Sequence, residues 1–374
     1  MIKYVFTISQ AMQYLSAMEL REARGLKKEE CAVLFFNKPY GTQIKQLKAV
    51  LNEDDWAVAK FIPFPDYWIP PGKGRSLSGR VMVLWSKLTS AGKFARKVND
   101  FLENECAKPL ELVATGNYLS RPHRHFLWAA EKRRGAKEII ILDEGTSVPN
   151  FIVPLRHNPH DREKLKRFKN RYSSRDIGGK FLRLSGLRHH HPANVTFFTV
   201  YKDILPPESD KVEVNKFGFL TAKAETFEEK DEVWFLGTCY VEFDYAYRDK
   251  YLALLKQAKE HFKGTKMLYF PHRYEADENL REIEKLGFEV TRSNMAIETL
   301  IVVRQERPKA FAAIATSAID NISYMFGGKV PIQLFKPSRE LFIEEQLINL
   351  CNDIIKGHLQ NGRGAVTAIE VDFG

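Results

Sequence analysis

Four short polar segments follow apolar runs in this chain, and each carries side chains able to do acid–base or phosphate chemistry. The run Ile139–Leu142 leads into Asp143, Glu144, Gly145 and Thr146. A carboxylate delivered by a turn after a buried strand can take a proton from a hydroxyl nucleophile. The run Met267–Phe270 leads into Pro271, His272, Arg273, Tyr274 and Glu275. There His272 can give a proton or a hydrogen bond to a phosphate, Arg273 adds a fixed cation, and Glu275 can orient either one. In Ala296–Thr299, Glu298 stands near a strand-to-helix junction, where a carboxylate can accept two bonds from the cis hydroxyls of a ribose. The small-residue run Phe311–Ala315 leads into Thr316 and Ser317, two hydroxyls at the start of a helix. Ser317 with Asp320 three positions on resembles a capping box, with Asp replacing the usual Glu or Gln. Free N–H groups and the positive end of the helix dipole make such a start a seat for phosphate.

Each segment also has a plain reading. Asp143–Gly145 reads as a solvated turn, His272 as a surface histidine, Glu298 as an exposed helix-start residue, and Thr316 with Ser317 as a cap without a ligand. The four together are more specific than any one, because all fall where strands end.

The elements that must position them alternate. Strands are expected at Tyr4–Ser9, Cys31–Phe36, Trp56–Ile62, Leu110–Thr115 and Glu138–Leu142. Helices are expected at Ala11–Arg24, Thr42–Asn52, Leu77–Glu105 and Pro122–Arg134. Pro63–Gly74 reads as loop. The alternation resumes with strands at Val233–Leu236, Lys266–Phe270, Phe288–Thr291, Lys309–Ala315 and Val330–Leu334, interleaved with helices at Asp249–Phe262, Glu278–Leu286, Ile297–Arg304 and Ala318–Phe326. A final helix is expected over 340–359, followed by a tail, Gly362–Gly374. Such alternation predicts an α/β fold with parallel sheets covered by helices, and ligands at the carboxyl ends of strands.

At 374 residues the chain is too long for one core, and 44% hydrophobic with 28% charged residues is an ordinary globular composition. Residues 1–208 form the first expected domain, with a basic excursion over 156–191, and 209–374 the second, with helix 340–359 able to pack back on the first. Pro206–Pro207 and the polar stretch to Asp231 read as the connection. The net charge of +10 suits an acidic partner: nucleic acid, anionic lipid, or an anionic sugar or nucleotide. No apolar run of about 18 residues and no signal-peptide pattern is present, so cytoplasmic residence is the expectation. The four cysteines make no CxxC pair, and Asp54–Asp55 is a poor candidate for a metal-binding pair.

Asp143-Glu144-Gly145, then the segment around His272, then Thr316-Ser317, together resemble the signature of bacterial sialyltransferases of GT-B architecture. These are glycosyltransferase families 52, 80 and 38, the polysialyltransferases included. The opening Thr7–Gln13 resembles the family 52 start. The resemblance covers most of residues 1–340. It implies two Rossmann-like domains facing each other across a cleft, and inverting, metal-independent transfer of sialic acid from CMP-sialic acid to a glycan hydroxyl. It further implies Asp143 as catalytic base, His272 as general acid toward, or stabiliser of, the departing phosphate, Thr316 and Ser317 on that phosphate, and Glu298 on the ribose. Arg273 and Gly237 join the donor-binding set. The family's His-Pro departs here to Pro271-His272-Arg273. A literal His191-Pro192 follows no expected strand and reads as a decoy. Glu242 and Asp244, after Gly237-Thr238, are rival acids for the base.

The acceptor expected is lipooligosaccharide or capsule-type, anionic or lipid-linked. Arg162–Arg188, with ten Lys/Arg against two acids, could steer it or dock on the inner face of the inner membrane. Kdo, legionaminic and pseudaminic acid are rival donor sugars, since they share the cytidine phosphate. From other classes, a basic nucleic-acid-binding protein would explain the charge and Phe168, Tyr172 and Phe181, yet would leave the four segments unexplained. A catalytically inactive sugar-binding relative is the third option.

Overall fold

The computed structural model describes residues 1–37, 42–64, 77–143, 147–158, 186–188, 190–361 and 365–371. Two compact α/β units divide between Lys216 and Phe217.

The first unit runs β1 (Tyr4–Ile8), α1 (Ala11–Ala23), β2 (Cys31–Phe35), α2 (Thr42–Val50), β3 (Val58–Phe61), α3 (Leu77–Glu105), β4 (Leu112–Thr115), α4 (Arg121–Arg134), β5 (Glu138–Leu142), α5 (Val153–His157), β6 (Thr196–Thr199) and β7 (Lys211–Val214). Its seven parallel strands are ordered β3-β2-β1-β4-β5-β6-β7. Every residue of β2 and β4 is buried, as strands covered on both faces require. The core gathers Phe94, Phe101, Phe126 and Phe197 around these strands. Burying each such ring stabilises by roughly 1.5–3 kcal/mol. Helix α4 shows how local sequence sets an element's limits. Pro122 sits in its first turn, where its missing N–H costs nothing, and Gly135 at φ 60°, ψ 45° ends it. Lys132, Arg133 and Arg134 lie at the negative end of its dipole.

The second unit runs α6 (Gly218–Ala224), β8 (Glu228–Leu236), α7 (Arg248–His261), β9 (Lys266–Phe270), α8 (Asp277–Lys285), β10 (Glu289–Val290), α9 (Ile297–Arg304), β11 (Glu306–Ala313), α10 (Ala318–Met325), β12 (Ile332–Pro337), α11 (Glu345–Asn361) and β13 (Val366–Val371). Its six parallel strands are ordered β10-β9-β8-β11-β12-β13. Aromatic pairs lie on both faces of the sheet: the rings of Phe235 and Tyr269 stack at 5.7 Å on one, and Trp234 meets Phe311 edge-on at 5.8 Å on the other.

Both sheets therefore follow one doubly wound order, in which the first strand of the unit lies beside the fourth and successive strands build outward on either side. The α/β expectation holds, and the crevice at the carboxyl end of that central strand pair is where such a sheet binds ligand.

Three expectations are corrected. The stretch read as a connection, 206–231, holds β7, α6 and the start of β8; β7 pairs with β6, so the first unit extends past residue 208. Gly362–Gly374 is not merely a tail, because Val366–Val371 pairs along the whole of β12. The final helix starts at Glu345 rather than 340; within its own unit it packs against β12, β13 and α10. Glu144–Thr146 and most of Arg162–Arg188 lie outside the described residues. Among the described residues, no helix is long and apolar enough to cross a membrane.

Candidate functional site

The carboxyl ends of β8, β9 and β11 carry most of the expected site residues, side by side on one edge of the second sheet. After β9 the chain makes a turn closed from both sides. The Glu275 N–H donates to the His272 carbonyl at 2.9 Å, and the His272 N–H donates to Glu275 Oε1 at 2.6 Å. Glu275 Oε2 accepts from the Tyr269 hydroxyl at 2.8 Å, and that hydroxyl bonds the Tyr251 hydroxyl, also at 2.8 Å. The Thr238 N–H donates to Tyr251 at 3.4 Å. This buried chain joins the end of β9, helix α7 and the end of β8. Burial pushes the Glu275 carboxyl up to about 8.

Gly237 is needed here by close approach. A Cβ at this position would stand 2.3 Å from Glu275 Oε1 and 2.5 Å from the Tyr269 hydroxyl. Gly237 thus makes room for the polar chain, a role its place in a donor-binding set did not foresee.

His272 is half-buried on this turn. Burial lowers its pKa, the neighbouring Arg273 guanidinium lowers it further, and Glu242 opposes both. Its Nδ1 accepts a long bond from the Tyr274 N–H, 3.4 Å. That bond assigns the proton to Nε2, leaving a neutral imidazole with Nε2–H as its donor. Arg273 and Tyr274 are exposed, with the guanidinium 4.9 Å from the ring centre.

At the end of β11, Thr316 is partly exposed and Ser317 exposed. Thr316 Oγ1 accepts from the Ala318 N–H at 3.5 Å. The expected capping box does not form. Ser317 makes no capping bond, and Asp320 Oδ1 instead accepts from His358 Nδ1 of α11 at 2.8 Å. The competing partner wins because a buried imidazole needs one more than an exposed helix start does. Ser317 is left with its hydroxyl directed to no helix N–H. Tyr240 reaches across the crevice, its hydroxyl 3.4 Å from the Ala315 carbonyl.

Glu298 is buried in the first turn of α9, not exposed. Its Oε1 accepts from Asn321 Nδ2 at 2.9 Å, which ties α9 to α10. Burial raises its pKa, and the Asn321 bond works against that rise. Asp143 is also buried, 8% exposed, at the end of β5 in the first unit. Its Oδ2 accepts from the Val200 N–H at 2.9 Å, joining the ends of β5 and β6.

The rival acids both lie beyond the end of β8. Glu242 Oε1 accepts from the Ala276 N–H at 2.9 Å and from Asn279 at 2.6 Å, capping α8. Asp244 is exposed in a tight turn at φ 55°. His191 packs structurally: its Nε2 accepts from Arg124 at 3.1 Å, so its Nδ1–H donates to the Tyr118 hydroxyl at 2.8 Å. Among the described residues no group of His, Cys, Asp and Glu could hold a metal ion.

The equivalent crevice of the first unit was not anticipated. His123 is fully buried between β1 and β4, its Nε2 2.8 Å from Ser9 Oγ and its Nδ1 3.0 Å from Thr115 Oγ1. Ser9 Oγ donates to the Phe36 carbonyl at 2.7 Å, so the imidazole donates to Ser9. Burial holds His123 down at about 3. Gln13 folds back to accept the Ser9 N–H at 2.7 Å, and Gly116 leaves room for it: a Cβ there would stand 2.6 Å from Gln13 Cβ.

No protein-family model matches the chain, and no curated protein matches it. Solved structures similar to it include Arabidopsis thaliana UGT89C1, at 11% identity over 99% of this chain and 85% of that chain, with a TM-score of 0.44. Another is Acinetobacter baumannii MurG, at 11% identity over 98% of this chain and 86% of that chain, TM-score 0.39. A third is the family 9 glycosyl transferase from Veillonella parvula, at 10% identity over 99% of this chain and 86% of that chain, TM-score 0.39.

Proposed function

We propose that this protein is a glycosyltransferase that moves sialic acid from CMP-sialic acid to a glycan hydroxyl with inversion and without a metal ion. The observation that carries the reading lies in the second unit. Along one sheet edge it sets a half-buried imidazole, an exposed guanidinium and an uncapped serine hydroxyl at a helix start, with a buried helix-start carboxylate in the same unit. That set suits an anionic phosphate ester attached to a ribose.

The anomeric carbon of CMP-sialic acid is tertiary, so its bond to phosphate breaks ahead of attack and the transition state is oxocarbenium-like. The electron pair leaves with CMP. The Nε2–H of His272, Arg273 and the Ser317 end of α10 meet the growing phosphate charge. Because its pKa is lowered, His272 acts at neutral pH by donating a hydrogen bond rather than as a charged acid. Asp143 is the proposed base, taking the acceptor hydroxyl's proton. Glu298 accepts from the ribose through the oxygen not held by Asn321. The proposed acceptor is anionic or lipid-linked.

A CMP-release assay in EDTA, with CMP-sialic acid and a galactoside or sialoside acceptor, tests the reading. Asp143→Ala and His272→Ala should each lower turnover by about two to four orders of magnitude. Wild-type turnover in both variants removes them from the chemistry. Turnover with CMP-Kdo or another CMP-linked acid sugar, and none with CMP-sialic acid, keeps the transferase and replaces the donor.

A further inference from the structure

We propose that Glu275 is the positioning residue of the donor site: it clasps the backbone of His272 and, through Tyr269 and Tyr251, fixes Gly237 and Thr238 across the neighbouring strand. The inference rests on the donor-site reading above. Glu275 is 6% exposed and so does not meet substrate itself, yet it touches both chain segments that frame the imidazole.

Three independent features of the geometry support this. The turn after β9 is closed reciprocally, by the Glu275 N–H to the His272 carbonyl and by the His272 N–H to Glu275 Oε1. A turn tied at both ends fixes the direction in which its first side chain leaves. The second carboxyl oxygen is engaged by Tyr269, and that hydroxyl by Tyr251, whose ring rides on α7. The Tyr269 hydroxyl donates to one carboxyl oxygen and the His272 N–H to the other, which satisfies both oxygens in a buried place. Lastly, Gly237 has no room for a side chain against Glu275, so β8 ends in contact with the carboxyl. The other charged groups acting on Glu275 are Glu242, beyond the end of β8, and Arg292, beyond the end of β10.

Glutamine has the same shape: its oxygen accepts from His272, and its amide donates to the Tyr269 hydroxyl, which turns to donate to Tyr251 instead. Glu275→Gln should therefore keep wild-type kcat. Glu275→Ala should lower kcat by about 10–100-fold while leaving the donor KM unchanged, as misplacing a catalytic group does. The His272 imidazole, followed by NMR through a pH titration, should move back toward an ordinary histidine pKa in Glu275→Ala and stay put in Glu275→Gln. Tyr269→Phe keeps the ring's volume and cuts the chain, and should shift the His272 titration in the same direction as Glu275→Ala. An unmoved His272 titration in Glu275→Ala overturns the proposal; if that variant does not fold, an unmoved titration in Tyr269→Phe does so. The titration needs no turnover, so a wild-type protein inactive on CMP-sugars defeats the donor reading and leaves this test standing.

Discussion

The two units carry the same strand order and differ in how the polar groups at their central strand ends are partnered. In the first, the ends of β1 and β4 are filled by the chain's own side chains: His123 bonds Ser9 and Thr115, and Gln13 lies over Gly116. In the second, the polar groups at the ends of β8, β9 and β11 divide into a buried set that bonds itself and a more exposed set that does not. Glu275, Tyr269 and Tyr251 form the buried set, while His272 is half-buried and Arg273 and Ser317 are exposed. Burying a polar group is tolerable only when it is hydrogen-bonded, so a filled crevice must be saturated and a binding crevice must keep some donors in reach of water. The fold supplies two equivalent places, and side-chain choice decides which of them keeps polar groups in reach of solvent.

The largest test of this contrast exchanges histidines for alanine. His123→Ala removes a buried ring and leaves Ser9 and Thr115 short of a partner. It should destabilise by about 3–5 kcal/mol in urea unfolding and leave the donor Kd of the folded fraction unchanged. His272→Ala should do the reverse, keeping the unfolding midpoint while losing turnover. Equal stability losses in both would erase the distinction.

The crevices should also differ in sign with pH. Glu275 is ordinarily near 4.5 and stands at about 8 in the fold. Between those values the folded state keeps a proton that the unfolded state has released, so stability falls as pH rises from 4.5 to 8 and levels off above. His123 is ordinarily near 6.5 and stands at about 3 in the fold. Between those values the unfolded state binds a proton that the folded state refuses, so stability is full above 6.5 and is lost as pH falls toward 3. Each ramp has a limiting slope of about 1.4 kcal/mol per pH unit. Unfolding curves from pH 4 to 9 should show Glu275→Gln flattening the alkaline ramp alone; an undiminished ramp in that variant would place its origin elsewhere.

The smallest effects concern the glycines. Gly116→Ala and Gly237→Ala each force a methyl into a filled space, and each should cost about 1–3 kcal/mol. Only Gly237→Ala should also lower kcat in the CMP-release assay, since it pushes on the carboxyl that holds the turn carrying His272.

The sequence by itself determined the two α/β halves and put the polar segments at strand ends. Buried parallel strands read as apolar runs such as Cys31–Phe35 and Lys266–Phe270, and these signals are local. It also read Glu275 as a group that could orient its neighbours. Tertiary structure alone decided the rest. The outer strands β7 and β13 have mostly polar or half-exposed residues, so their pattern is that of a loop until a neighbour pairs with them. Tyr251, Tyr269 and His123 sit in helix and strand stripes where a core residue looks the same as a hydrogen-bonding one. Asp320 turned from Ser317 to His358, a partner far along the chain. Periodicity is written in neighbouring residues, whereas hydrogen-bond partners are chosen by distance in the folded chain, and for this protein that choice separates a sealed crevice from an open one.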